Sequence, residues 1–366
     1  MRAPVLLLGG VVLVGAGIGL SEWARRHPPE RKTEETEAKA EPAPKPKKTL
    51  SPDELLKAEP GESEPRDLEL LQQGQAKLDK AEQVTTDFTV ALGILPTRML
   101  ASSGPVVLAV VDHDAKGSAQ SVVRLDGRAR LVTARRGLSA VSVLGELALW
   151  GERGGIYAQP AVQDEKPRAV VRFPNARVTA LAASGDTVVA ALVPQDFDPF
   201  STDPEAALVA VSLSGGAPRT LATKLVRLGE VATDGESAFF IAGYPATLQK
   251  VSLEGGAAPS ELAARADGPL LVKDGQLFFK DPSVTSPGVQ KVSIAGGAPA
   301  LVSKGEVDRF TLEGGQLVTA FGTTLTRQGG KTTELPGSAL ALVGAEQSTY
   351  ALVRLPAGLV VFSLPR

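Results

Sequence analysis

The sequence predicts an all-β repeat fold over most of its length, and three observations carry that expectation. Val211-Ser212-Leu213-Ser214-Gly215-Gly216-Ala217-Pro218, Val251-Ser252-Leu253-Glu254-Gly255-Gly256-Ala257-Ala258-Pro259 and Val292-Ser293-Ile294-Ala295-Gly296-Gly297-Ala298-Pro299 are near-copies starting 40 and 41 residues apart. Glycines between a small apolar run and a more aromatic one recur at Gly104, Gly145, Gly185, Gly235, Gly275, Gly315 and Gly344, at intervals of 41, 40, 50, 40, 40 and 29. Beyond about Val84 the chain alternates short Val, Leu and Ala runs with Gly and Asp turns, without a helical period. A period near forty belongs to repeat architectures and matches a four-stranded propeller blade. Seven glycine turns predict seven such blades, with six or eight as alternatives because the last intervals are uneven.

The repeated octet explains itself in terms of a strand, a turn and an edge. Val-x-Leu alternation puts two apolar side chains on one face of a strand, and Gly-Gly supplies the positive φ angles of a tight hairpin. The Ala-Pro that follows suits the start of an outer strand, since proline cannot donate to a sheet ladder. The octet therefore reads as third strand, turn and outermost strand of one blade.

Taken from its start, the chain first offers an uncharged run from Ala3 to Ser21. At about 1.5 Å per residue such a run reaches about 28 Å, close to a bilayer core. Residues 1–24 are read as a transmembrane anchor or signal segment, with 4–20 in the membrane and Trp23 at its surface. Gly15-Ala16-Gly17-Ile18-Gly19 resembles a dinucleotide-binding fingerprint, but no βαβ pattern surrounds it, so these are read as glycines of a membrane helix. Residues 25–50 are rich in Pro, Glu, Lys and Ala and form the expected disordered linker. Residues 51–83 carry short helical segments: Ser51-Pro52-Asp53-Glu54 has the form of a capping box, and Leu68, Leu71 and Leu78 mark a second helix.

Residues 84–366 form the expected propeller. Its last repeat has only three strand candidates, Ala339 to Val343, Thr349 to Arg354 and Leu359 to Leu364, before the chain stops. An unpaired sheet edge is a liability, and borrowing a strand from the other end of the chain removes it. Thr86-Asp87-Phe88-Thr89-Val90-Ala91-Leu92 is the expected donor.

On the blade period and the Val-Ser-Leu-x-Gly-Gly-Ala-Pro turn, the chain resembles the TolB-like and related extracytoplasmic bacterial β-propellers over residues 84–366. It departs from WD40 propellers: there is no Trp-Asp or Gly-His signature, and the two tryptophans, Trp23 and Trp150, do not repeat. The resemblance implies a fold whose members bind proteins, glycans or small ligands, and does not choose among these.

Composition narrows the function. Net charge is −2, which offers no global basic field for nucleic acid. The absence of cysteine excludes disulfides, thiolate metal sites and cysteine nucleophiles. His113 and His27 are the only histidines, so a histidine-rich metal centre is excluded, and no Gly-x-Ser-x-Gly elbow is present. No catalytic, cofactor or metal residue is assigned, and no cofactor is expected.

Candidate partner-binding residues come from the loops. The 50-residue interval between Gly185 and Gly235 implies an insertion at Gln195 to Glu205, which holds Asp196, Phe197, Asp198, Phe200 and Asp203. Tyr244 and His113 belong to loops expected on the same face, and together these seven residues form the predicted lip of aromatic anchors and charges. Asp196, Asp198 and Asp203 also offer hard oxygen ligands of the kind calcium takes, without EF-hand spacing.

The resulting expectation is a membrane-tethered, non-enzymatic scaffold outside the cytoplasm, in the periplasm or cell envelope, contacting a protein partner or ligand. The alternative is a propeller hydrolase or lyase that acts on a glycan or peptide through carboxylates on the loop face. Arg25, Arg26, Arg31 and Lys32 outweigh Arg2, so the positive-inside rule leaves a cytoplasmic domain as an alternative location, beside secretion after cleavage.

Overall fold

The three Gly-Gly octets fold alike. Both glycines of each pair have positive φ, at 95° and 111° for Gly215 and Gly216, 76° and 78° for Gly255 and Gly256, and 101° and 117° for Gly296 and Gly297. In each, the first glycine N–H donates to the serine carbonyl three residues back, at 3.0, 3.2 and 2.9 Å. The outer strands then begin one residue after the proline, at Arg219, Ser260 and Ala300. A related Gly-Gly turn stands at Gly329-Gly330, where the second glycine, Gly330, donates its N–H to Arg327 O at 3.0 Å.

The computed structural model describes residues 50–366, apart from residues 63–64, 81–84, 87–88, 95–96, 115, 126–128, 163–164, 199–202, 284–286 and 357. The expected anchor, most of the expected linker, and Asp87 and Phe88 of the expected donor strand lie outside the described residues. Among the described residues no helix is long and apolar enough to cross a membrane.

The fold is an all-β propeller in the unit Thr49–Arg366. Five blades stand as sheets of their own, where seven were expected. Four of them have four strands: Thr97–Ser103 to Ala129–Arg135, Val231–Thr233 to Ser260–Ala263, Asp267–Lys273 to Ala300–Lys304, and Arg309–Glu313 to Thr332–Glu334. The fifth joins Ala339–Gly344, Ser348–Leu355 and Gly358–Pro365 to strands from the other end of the chain.

The correction in blade number has a physical source. The strands expected to form blades two and three lie in one seven-stranded sheet, because the strand Arg168–Ser184 runs on without a turn glycine to break it. Its first part pairs with Leu147–Pro160 and its second part with Thr187–Pro194. Within Leu147–Pro160 the chain doubles back at Gly154, whose φ is 88°, so that Trp150 stacks on Tyr157 at 6.1 Å and Ala161 N–H donates to Glu146 O at 2.8 Å. Gly344 also differs from its expected role: it ends a strand, and the turn follows it.

Apolar slabs between neighbouring sheets form the core. One holds Val189, Leu208, Leu228 and Phe240, and another holds Val106, Val122, Trp150 and Tyr157. Strands covered on both faces lose the polar alternation of a half-exposed sheet, which is why Val106-Val107-Leu108-Ala109-Val110-Val111 is buried throughout.

Residues from Ser51 onward follow the outside of the ring. Ser51 caps helix α1 (Pro52–Leu55) with the predicted reciprocal box, its Oγ accepting from Glu54 N–H at 3.2 Å while Glu54 accepts from Ser51 N–H at 2.9 Å. Leu55 is buried among Phe173, Val178 and Val188, and Asn175 Nδ2 donates to Glu54 O at 2.9 Å. Glu59–Pro60 then adds an antiparallel strand beside Arg172 and Val171. Helix α2 (Leu68–Asp79) lies on Ala129–Arg135 through Leu70 and Leu71. Leu68, expected in its apolar stripe, faces solvent, and Gly74 takes part in the buried face because a Cβ there would come within 2.3 Å of Ser121 Oγ. Last, Thr89–Ile94 pairs antiparallel with Gly358–Pro365, with Val360 opposite Ile94 and Ser363 opposite Val90, closing the edge as expected.

Candidate binding face and channel mouth

In an up-and-down sheet, the turn between second and third strands leaves on the same side as the connection to the next sheet. That side of the ring collects residues 195–198 and 203–205, Gly243 to Ala246, Gly322-Thr323 and the segments that open each inner strand. The 50-residue interval is accounted for here, since residues 195–205 do connect Thr187–Pro194 to Ala206–Ser212.

The inner strands enclose a channel of about 940 Å³, walled largely by small or apolar residues such as Ser102, Val143, Ala183 and Thr233. Its mouth on the loop face is charged. Glu230, Asp267 and Arg309 open three successive inner strands at one register position, paired with Ile241, Lys280 and Ala320. The register places Lys280 against Asp267, and Lys280 Nζ lies 2.8 Å from Asp267 Oδ2 and donates to Asp308 O at 3.3 Å. Arg309 donates from Nε to Leu340 O at 2.6 Å and from Nη1 to Asp308 O at 2.8 Å.

Glu230 is exposed to the channel at its mouth, and the surrounding walls displace part of the water about its carboxyl. That desolvation pushes its carboxyl above the usual range; the charge of Asp267 adds to the effect and Arg309 opposes it. The mouth thus brings together a carboxyl whose pKa is raised, a paired carboxylate and two cations.

The predicted lip is only partly gathered at this face. Asp196, Asp198 and Asp203 are exposed on the inserted loop. Phe197 turns inward and packs on the slab that holds Leu208 and Phe240, while Phe200 lies outside the described residues. Tyr244 is 76% exposed, with the Arg227 guanidinium 4.6 Å above its ring. His113 opens the connection between the second and third strands Val106–Asp112 and Gln120–Leu125, and so lies on this same side of the ring. It is half-buried beneath α2, its Nε2 is 2.7 Å from Ser121 Oγ, and its carbonyl accepts from Lys77 Nζ at 2.8 Å. Burial, then Lys77, lowers its pKa against the opposing pull of Asp114 and Asp112, which favours the neutral ring. Asp114 is occupied locally: the Ser118 hydroxyl and N–H hold its carboxylate low, helped by Lys116 N–H at 2.9 Å.

Sequence reasoning missed Glu230, Asp267 and Arg309, and also Phe321, which is 51% exposed at the end of Gln316–Phe321 on the same face. The available signal was a charge at one register position in three consecutive repeats, each just before an apolar run. Among the described residues no group of three or more acidic or histidine side chains is placed to hold a metal ion.

No family model matches the chain, and no curated protein does. Solved structures do. An oligogalacturonate lyase in complex with manganese is similar with a TM-score of 0.60 at 10% identity, over 78% of this chain and 98% of that one. A Mycobacterium tuberculosis puromycin-hydrolyzing peptidase has a TM-score of 0.55 at 15% identity, over 74% of this chain and 53% of that one, so the match spans about half of the peptidase. The WD40 β-propeller domain of Doa1 has a TM-score of 0.52 at 14% identity, over 75% of this chain and 96% of that one. At these identities the likeness shows the propeller fold alone, shared by enzymes and by WD40 proteins.

Proposed function

We propose that this chain is a membrane-tethered propeller outside the cytoplasm that works as a non-enzymatic binding scaffold, taking a protein partner or ligand on its loop face. The observation that carries the reading is convergence. Tyr244 and Phe321, both exposed aromatic rings, lie on the face that holds the charged channel mouth. Exposed aromatic anchors flanked by charges are the usual make-up of a binding hot spot. The inserted loop with Asp196, Asp198 and Asp203 extends this face, and the Val-Ser-Leu-x-Gly-Gly-Ala-Pro turn resembles that of TolB-like extracytoplasmic propellers.

Within the same reading the ring has seven positions. Support comes from the doubling back of Leu147–Pro160, which makes the wide sheet count as two blades, and from inner strands that touch in cyclic order from Thr97–Ser103 round to Ala339–Gly344 and back. A propeller hydrolase or lyase is the second reading, and Glu230 favours it, as a carboxyl at the channel mouth whose pKa is raised by desolvation and by Asp267.

The test uses the full chain as bait in envelope extracts after cross-linking. Tyr244→Ala with Phe321→Ala, or deletion of Asp196 to Glu205, is expected to abolish recovery of a partner that Leu301→Ala, on an outer strand, leaves intact. Equal recovery by all variants would overturn the assigned face. Protease added to cells stripped of their outer layer is expected to digest the propeller, and its protection there would refute the location.

A further inference from the structure

Three arginines of the ring have a carboxylate partner. Arg135 Nε meets Glu152 at 2.7 Å, Arg327 Nε meets Glu313 at 2.9 Å, and Arg124 pairs with Glu146. Arg153 and Arg177 have none among the described residues. They are register partners on antiparallel strands, opposite one another just past an irregularity in the ladder between Arg172 and Arg177. Side chains at such positions share a face with Cβ atoms about 4.5–5.5 Å apart, and like charges so placed destabilise a sheet.

Neither guanidinium has a hydrogen-bond or ion-pair partner among the described residues, and Arg177 Nε is shut off from solvent without one. Glu152, adjacent in sequence to Arg153, is committed elsewhere: it is buried and accepts from Arg135 and from Trp150 Nε1 at 2.7 Å. Space is available beside the pair, since Gly154 has nothing within 4 Å of the position its Cβ would take. Arg153 is exposed and Arg177 half-buried. The pair stands on the loop face, and two residues beyond Arg177 is Thr179, which lines the upper end of the channel together with Glu230 and Asp267. With a net charge of −2 on the chain, this is a local feature and not part of a general basic field.

We propose that Arg153 and Arg177 form a binding site for an oxyanion, taking a carboxylate or phosphate group of an anionic ligand between two guanidinium forks. Each fork presents parallel N–H donors matched to the paired oxygens of such groups. The bound charge offsets the repulsion that the empty pair carries. The site stands whether or not the aromatic lip holds a protein.

The experiment is a calorimetric titration of the full chain with inorganic pyrophosphate and, separately, with citrate, which tells a phosphate site from a carboxylate site. Saturable binding of at least one probe is expected, weakened about tenfold or more by Arg153→Gln and by Arg177→Gln; tenfold corresponds to about 1.4 kcal/mol. Arg136→Gln, an exposed rim arginine outside the pair, is expected to leave affinity unchanged. Without probe, Arg153→Gln should melt at or above the wild-type temperature, because one of two opposed charges is gone. Failure of both probes to saturate overturns the site. Equal weakening by Arg136→Gln would overturn it in favour of a diffuse field, and a lower melting temperature for Arg153→Gln would overturn it in favour of a structural role.

Discussion

Glu230 is the residue at which solvent, charge and fold meet, and its titration can be read as stability. Its folded pKa is raised, so between the ordinary glutamate value and that raised value the folded chain binds more protons than the unfolded one. Stability from this group is therefore present at low pH, falls as pH climbs through that window, and is fully lost above it. Glu230→Gln removes the titration while keeping the shape. The variant is expected to melt above wild type at neutral pH and to converge with it at acid pH. Parallel melting curves for the two proteins across pH would show that Glu230 is solvated like an ordinary surface carboxylate. At this scale the sequence was a partial guide. Tyr244 could be found because a Gly-Tyr-Pro turn is a local signature, and its exposure follows from it. Glu230, Asp267 and Arg309 could not be recognised one at a time, because a single charge before a strand means nothing until three repeats are aligned by register.

Elements built by local chemistry were the legible ones. The Gly-Gly turn and the capping box depend on residues three or four apart, and both form as read. Elements fixed by tertiary packing were not: Phe197 and Leu68 exchanged their expected exposures because the slab and the outer strand beneath them decide which side chain is covered. Glu59–Pro60 gave no signal at all, since two residues carry no period, and it forms because the outer edge by Val171 and Arg172 is there to pair with. The segment that begins with α1 is thus held by tertiary burial and not by helical propensity, as four residues cannot sustain a helix alone. Leu55 is its anchor. Leu55→Ala is expected to cost about 2–5 kcal/mol, the range for a buried leucine truncation. The loss should fall on the local opening of this segment, read as faster amide exchange from Leu55 through Gly61 with exchange in Thr187–Pro194 little changed. Uniform acceleration across both would mean that the segment and the ring unfold as one.

For the whole molecule the decisive feature is the seam, where the first and last strands meet. The two ends of the chain share one sheet only while Thr89–Ile94 stays paired with Gly358–Pro365, which Ser348–Leu355 flanks on its other side. A buried ion pair clamps that strand. Arg327 meets Glu313 through Nε and donates from Nη2 to Leu364 O at 3.2 Å and Pro365 O at 3.1 Å, while Thr349 Oγ1 donates to Glu313 Oε1 at 3.0 Å. Breaking a buried pair from one side strands a charge and costs about 3–5 kcal/mol, whereas replacing both partners with neutral groups of similar size is often tolerated. Arg327→Ala is therefore expected to lower the melting temperature sharply. It should also separate the transitions seen by far-ultraviolet circular dichroism and by fluorescence of Trp150, because the ring would open at its seam before its slabs dissolve. The double variant Glu313→Gln with Arg327→Met, with no charge left to strand, should regain most of the loss and a single transition. A double variant as unstable as Arg327→Ala would mean that the carbonyl contacts at Leu364 and Pro365, and not the charge, hold the seam shut.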